Sequence, residues 1–205
     1  PQADAAVIAE TADATLLSRP LRSLADIEDI ESVPLAERLR IDNFCHRVAL
    51  AIEARDPQDT AIHYVPDGDI DRAAERVSFD ELKRNIGRTA SLLCSHGIGR
   101  NDAVAVLLPA VPAIYWSILG AMAAAIVFPV NWMLEPKYVL RLIKEANVKA
   151  VIALGPTPGF QIWEALAQVA ADLPSGVKIW SVPGPGGTLL PDSDLEAALD
   201  GNPEK

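Results

Sequence analysis

The chain is poor in the residue types that redox, metal and nucleic-acid chemistry require. It has only two cysteines in 205 residues. Cys45 and Cys94 lie far apart and belong to no Cys-x-x-Cys pair, which removes thioredoxin-type and cysteine-based metal sites. Isolated thiols of this kind suit a reducing cytoplasm. The three histidines, His46, His63 and His96, share no short ligand spacing and read as helix-face, strand-face and helix-end residues. No pair of residues has the pattern of a nucleophile beside its base, so no catalytic residue and no metal ligand is assigned. Basic charge is also scarce: 18 Lys and Arg stand against 28 Asp and Glu, a net charge of -10. This balance argues against a nucleic-acid or anionic-membrane partner, both of which need clustered cations. The N-terminus lacks a basic region followed by an apolar run, so no signal peptide is read. Its opening on Pro1 and closing on Lys205 point to a trimmed or truncated chain.

Charge is missing altogether between Ala103 and Val130. A membrane-spanning helix needs about 20 uninterrupted apolar residues. Pro109, Pro112 and Pro129 break this run, and Gly120 sits inside its longest piece. A strand, a helix and a second strand fit it better, because strands buried on both faces read as continuous apolar runs. No transmembrane segment is expected.

What the chain does have is alternation. Half of its residues are hydrophobic and 22% are charged, the composition of a packed core. Leu24–Ile30 reads as a small surface helix. Asn43 is a plausible N-cap for a helix reaching Arg55, with Phe44, Val48, Ala51 and Ile52 at helical spacing. Thr60–Val65 reads as a strand, Pro66–Asp69 as a turn and Arg76-Val77 as the returning strand. Ser78 and Glu81 form a capping box ahead of a helix whose stripe is Leu82, Ile86, Ala90 and Leu93, with Gly97 at its left-handed C-terminus. The predicted elements that follow are a strand over 103–108, a helix over 112–124, a strand over 125–129, and a helix starting at Pro136 with Val139, Leu140, Ile143 and Ala146 inward. Asn147 ends that helix, and Ala150–Leu154, a helix over 160–171, a strand over 177–182 and a short helix over Ser193–Leu199 complete the series. Strands alternating with helices predict an α/β fold: a mostly parallel open sheet with helices on both faces. The expected organisation is an N-terminal extension with short helices over 1–42, the α/β subdomain over 43–182 and a linker over 183–205.

Two glycine-bearing loops invite a phosphate reading. Pro183–Thr188 has three glycines but no following Lys and no obvious helix start, so a flexible linker fits better than a phosphate loop. Gly155–Gly159 lies between a strand and a helix, where helix N–H groups can meet an anion. Pro156 and Pro158, however, remove two of the donors. Trp116, Trp163 and Trp180 read as packing residues. Trp132 is different, because it follows Asn131 just past the C-terminal end of a parallel strand, where open sheets gather ligands. Asp80, Glu81, Asp102 and Glu135 have cap or turn roles.

Val77-Ser78-Phe79-Asp80-Glu81-Leu82 resembles the opening of the adenylate-forming, AMP-binding enzymes, the acyl-CoA synthetase family. The resemblance continues through Ala90, Leu93, Gly97, Ile98 and Asp102 to Val104–Pro109, then through Gly120, Ala121, Ala124, Pro129, Val130 and Asn131. Leu134-Glu135-Pro136, Gly155–Trp163 and Leu24–Leu35 are similar to a bacterial fatty-acyl-CoA synthetase-like branch. Two positions depart from the family pattern: Ala110 stands where Asn is usual, and Trp132 where Pro is usual.

The resemblance implies the N-terminal part of an enzyme that activates a fatty or related carboxylic acid with ATP and Mg²⁺ to an acyl-adenylate and transfers the acyl group to CoA. The family's Ser/Thr/Gly-rich phosphate loop, its adenine-binding segments, its hinge acid and its C-terminal Lys do not occur in these 205 residues. The chain alone is therefore expected to be inactive and to hold none of these cofactors by itself. The resemblance places Asn131, Trp132 and Met133, with Gly155 and Gly159, in loops on the CoA side. Two other readings stay open at this level: a non-catalytic α/β ligand-binding or interaction module, and another adenylate-forming branch. An apolar face left exposed by the subdomain is a further expectation, and with it homo-oligomerisation.

Overall fold

In a computed structural model the described residues are 20–34, 44–66, 71 and 73–201. The N-cap expected at Asn43, most of the lead over 1–23 and all of the 66–69 turn but Pro66 lie outside them. The chain divides into two compact units, Pro1–Asp59 and Thr60–Lys205. The first holds α1 (Leu24–Glu31) and α2 (Phe44–Glu53). The capping box of α1 was not read from the sequence. Ser23 Oγ accepts the Asp26 N–H at 3.3 Å, and Asp26 Oδ2 accepts the Ser23 N–H at 2.8 Å.

The second unit opens with an antiparallel pair, β1 (Thr60–Tyr64) and β2 (Glu75–Ser78). It continues as α3 (Phe79–Ser95), β3 (Ala103–Leu107), α4 (Ala113–Ala124), β4 (Ile126–Pro129), α5 (Pro136–Glu145), β5 (Val148–Leu154), α6 (Ile162–Val169), β6 (Lys178–Val182) and α7 (Leu195–Asp200). The four last strands form one parallel sheet in the order β4-β3-β5-β6. All of β3 is buried, as is β5 apart from Lys149, which accounts for their uncharged, alternation-free wording.

Right-handed crossovers then decide where the helices go. The chain steps one way from β3 to β4 and the other way from β4 through β5 to β6, so α4 covers one face while α5 and α6 cover the other. The contacts agree: α3 packs on α4, α5 packs on α6, and α7 packs on α3 and β6. β4 is an edge strand with Ile126 exposed. The Ile126 and Val130 N–H groups point inward to the Asp102 and Val106 carbonyls, at 2.9 and 3.0 Å. Alternate residues face outward, and Pro129 has no N–H to offer there, which blunts the edge.

Local signals held where a backbone constraint backed them. Gly97 has φ 72° and Asn147 φ 50°, each just past a helix. The Ile98 N–H reaches back to the Leu93 carbonyl at 3.0 Å, closing the C-terminal turn of α3. Only the Ser78 half of the expected capping box is formed, with Ser78 Oγ accepting the Glu81 N–H at 3.1 Å. Glu81 lines a cavity with Arg84, Arg88 and Glu196. Of the expected stripe of α3, Leu82 and Leu93 are buried and Ile86 and Ala90 half-buried, and Thr89 and Leu92 complete the buried set. Thr89 is covered by Gly120 of α4. A Cβ there would stand 2.5 Å from Thr89 Cβ and 2.8 Å from the Ile86 carbonyl oxygen, so α3 and α4 cross nearly backbone to backbone with Thr89 beneath.

The stretch expected as a linker carries structure over 183–201. Leu195 and Leu199 are buried, and Asp194 Oδ1 caps α7 by accepting the Ala197 N–H at 2.7 Å. Two buried leucines on one helical face hold α7 on the unit in spite of the proline- and glycine-rich lead-in.

Gly120→Ala is expected to destabilise the second unit by about 1–3 kcal/mol, because both helix backbones must shift to admit one methyl group. Urea unfolding should show a lower midpoint at an unchanged slope.

Candidate functional site

Strand β3 leaves through α4 on one face, while its neighbour β5 leaves through α6 on the other. Between their C-terminal ends the loops part, as they do wherever connections diverge in an open parallel sheet, and ligands of such sheets bind there. Two cavities flank this edge.

The first, of about 340 Å³, is lined by Trp132, Met133, Leu134 and Pro136 after β4 and by Gly159, Phe160, Gln161, Ala165 and Gln168 around the start of α6. Asn131 shapes its near wall. Its Oδ1 accepts the Met133 N–H at 3.0 Å, and its carbonyl accepts the Leu134 N–H at 3.2 Å. This turn leaves Met133 72% exposed at the mouth. Trp132 and Phe160 meet edge to face with ring centroids 5.6 Å apart. Gly159 has φ 82°, a conformation that turns the chain toward Phe160 and that a side chain would resist. No Lys, Arg, Asp or Glu lines this cavity. Beside it, outside the lining, Lys137 pairs with Glu135 at 2.8 Å.

The structure thus brings together Trp132, Met133 and Gly159, with Asn131 supporting them. Gly155 stands apart. It is buried, its N–H donates to the Val182 carbonyl at 2.8 Å, and it anchors the loop base rather than lining the cavity. The two glycine loops that read as separate features interlock. Thr157 is 6% exposed and donates from Oγ1 to the Gly155 carbonyl at 2.9 Å. A Cβ on Gly184 would fall 2.6 Å from Thr157 Oγ1, and one on Gly187 2.8 Å from the same atom. The Thr188 N–H donates to the Pro156 carbonyl at 2.8 Å. Ordinary hydrogen bonds and packing therefore order residues 183–188.

The second cavity, of about 310 Å³, lies beside this interlock. It is lined by Val111 and Pro112 of the β3–α4 connection, Ala113 and Trp116 of α4, Val182–Pro185, Tyr64, Glu75 and Glu196. The start of α4 has no side-chain cap, because its N-cap is Pro112, which has no polar side chain; Ala110 stands two residues earlier. Burial pushes the Glu196 carboxyl above the usual range, and the negative charges of Asp194, Asp200 and Glu81 add to the rise.

The arrangement has relatives. Residues 50–198 match the family described as AMP-binding enzyme. The chain belongs to the AMP-binding enzyme family. It is 30% identical over 147 residues to the marinolic acid–CoA ligase of a Pseudoalteromonas species, a match covering 70% of this chain and 22% of that protein. It is 31% identical over 100 residues to a human mitochondrial acyl-coenzyme A synthetase, covering 48% of this chain and 16% of that one. Among solved structures, a benzoate CoA ligase from Burkholderia xenovorans superposes with a TM-score of 0.63 at 20% identity, over 80% of this chain and 29% of that chain. A long-chain-fatty-acid-CoA ligase from Archaeoglobus fulgidus gives a TM-score of 0.64 at 16% identity, over 80% of this chain and 31% of that chain. These structural likenesses show the fold of the N-terminal part of such enzymes. The chain spans about a fifth of the length of the curated relatives it matches.

As part of an AMP-binding enzyme, the edge can be tested for what it could hold. The aromatic, thioether and amide lining of the larger cavity suits an uncharged, partly apolar group with amide or heteroaromatic character. Among the described residues no three His, Cys, Asp or Glu side chains converge as a metal-ligating group. No helix of the described residues is long and apolar enough to cross a membrane. Gln161, Ala165 and Gln168 were not read from the sequence, although their i, i+4, i+7 spacing would have put them on one face of α6.

The raised carboxyl of Glu196 yields a pH dependence. Its folded-state pKa lies above the unfolded one, so the folded form holds the proton longer and stability falls as pH rises from the ordinary glutamate value through the folded one. Glu196→Gln is expected to raise the thermal midpoint at pH 7 and to leave it unchanged at about pH 3, below the ordinary glutamate value, where both states are protonated. Midpoints of the two proteins at both pH values check this.

Proposed function

We propose that the chain is the N-terminal part of an acyl-CoA ligase that joins a fatty or related carboxylic acid to CoA through an acyl-adenylate. In this reading the sheet edge formed by Asn131, Trp132 and Met133, with the loop based on Gly155 and turned at Gly159, borders the path of CoA. The observation that carries it is the uncharged cavity between Trp132 and Phe160 at the ligand edge of a sheet from the AMP-binding family. Its lining suits the amide-bearing pantetheine arm or the flat adenine ring, while the CoA phosphates would have to meet cations elsewhere. ATP and Mg²⁺ belong to segments with a phosphate loop and acidic ligands, which these residues do not include. The chain's own part is to bind, orient and shield from water, and no proton transfer is assigned to it.

A reducing, cytoplasmic setting fits the isolated thiols. Self-association is a further part of the reading. Tyr115 of α4 and Ile126 of β4 are 48% and 53% exposed, within a stretch that carries no charge.

Two outcomes are expected. The chain by itself should release no pyrophosphate from ATP with any of a panel of carboxylic acids, and clear turnover would contradict the reading. On the chain extended through the family's phosphate loop, calorimetric titration should detect CoA binding that weakens about tenfold, ~1.4 kcal/mol, in Trp132→Ala. An unchanged affinity would remove Trp132 from the CoA path, and absence of binding would favour an interaction module.

A further inference from the structure

We infer that Thr157 is the positioning residue of the ligand edge: it clasps the loops after β5 and β6 into one body and so sets where Phe160 stands against Trp132. The inference rests on the proposed CoA side only for its functional meaning. The clasp itself follows from contacts.

Thr157 works in two directions. Toward the later loop, its Oγ1 and Cγ2 would be 2.6 and 2.7 Å from a Cβ on Gly184. No side chain fits between them, so the two backbones touch across Thr157 itself. Neither Gly184 nor Gly187 has a positive φ, so their lack of a side chain answers to this contact and not to backbone conformation. Toward the site, the Thr157 carbonyl accepts the Phe160 N–H at 3.1 Å. Any shift of Thr157 is therefore passed through one turn to the ring that meets Trp132. The Oγ1 hydrogen bond to the Gly155 carbonyl fixes the side-chain rotamer, and burial removes water as a competing partner. A side chain with a hydroxyl and a methyl on one branched carbon suits this position, because χ1 of such residues is stiff.

The two glycines separate a positioning role from general packing. The Cβ of Gly184→Ala meets Thr157 side-chain atoms, with Leu154 Cδ1 next at 3.1 Å. Thr157→Ala removes both Thr157 atoms, so it should relieve Gly184→Ala. The Cβ of Gly187→Ala also meets the Pro156 and Gly184 carbonyl oxygens, at 2.8 and 2.9 Å. Those are backbone atoms, and Thr157→Ala should not relieve that variant.

The test is ¹⁹F NMR of the chain carrying 5-fluorotryptophan, with the Trp132 resonance assigned through Trp132→Phe. Gly184→Ala should move the Trp132 resonance while Trp180, a buried residue of β6 whose ring meets exposed His96 edge to face, stays in place. Adding Thr157→Ala should return Trp132 toward its original position in the Gly184→Ala background and not in the Gly187→Ala background. Should Gly184→Ala alone fail to fold, the double variant should fold and show the resonance. An unmoved Trp132 resonance in Gly184→Ala, or equal behaviour of the two glycine backgrounds, overturns the inference. CoA affinity of the same proteins is read separately. A clasp confirmed by NMR in a chain that binds no CoA leaves the positioning intact and removes the CoA assignment.

Discussion

The burial of β3 and β5 on both faces is the constraint from which the rest of the second unit follows. Two adjacent strands with almost no exposed atoms must be covered by helices above and below. Right-handed crossovers then send the exits of the two strands to opposite faces. The loops part at the C-terminal edge, and polar, aromatic and glycine-bearing segments collect there because the sheet itself has no place for them. The close crossing of α3 and α4 at Gly120 serves the same end, bringing two helices near enough to seal one face.

At that edge the architecture is economical. The connections after β4 and β5 meet through Trp132 and Phe160, and those after β5 and β6 meet through Thr157. One buried threonine thus ties a cavity wall to a segment about thirty residues further along. The division of chemistry is equally plain. Around the Trp132–Phe160 cavity the lining offers shape, apolar surface and amide groups, while the charged side chains of Glu135 and Lys137 stand outside it.

Much of this was legible in the sequence, for identifiable reasons. Period and punctuation gave the order of helices and strands. Pro136, Gly97 and Asn147 marked ends because their backbone preferences admit few alternatives. The charge-free run from Ala103 to Val130 resolved into strand, helix and strand because three prolines cut it. Trp132 was singled out by its place after a parallel strand. The parts that were not legible depend on contacts distant in sequence. Nothing local in Pro183–Thr188 distinguishes a linker from a segment held by Thr157. Thr89 is an unremarkable helix residue until Gly120 is laid over it. The capping box at Ser78 read as complete, yet Glu81 lines a cavity shared with Glu196 and Asp200 of α7, more than a hundred residues away.

If the Trp132–Phe160 edge borders the path of CoA, as proposed, bound CoA must shield its backbone amides. Amide hydrogen exchange, with and without CoA, on the chain extended through the family's phosphate loop tests it most directly. Added protection is expected over residues 131–135 and 157–163, with α3 unaffected. Protection confined to other segments, with this edge exchanging at the same rate in the presence of saturating CoA, would contradict it.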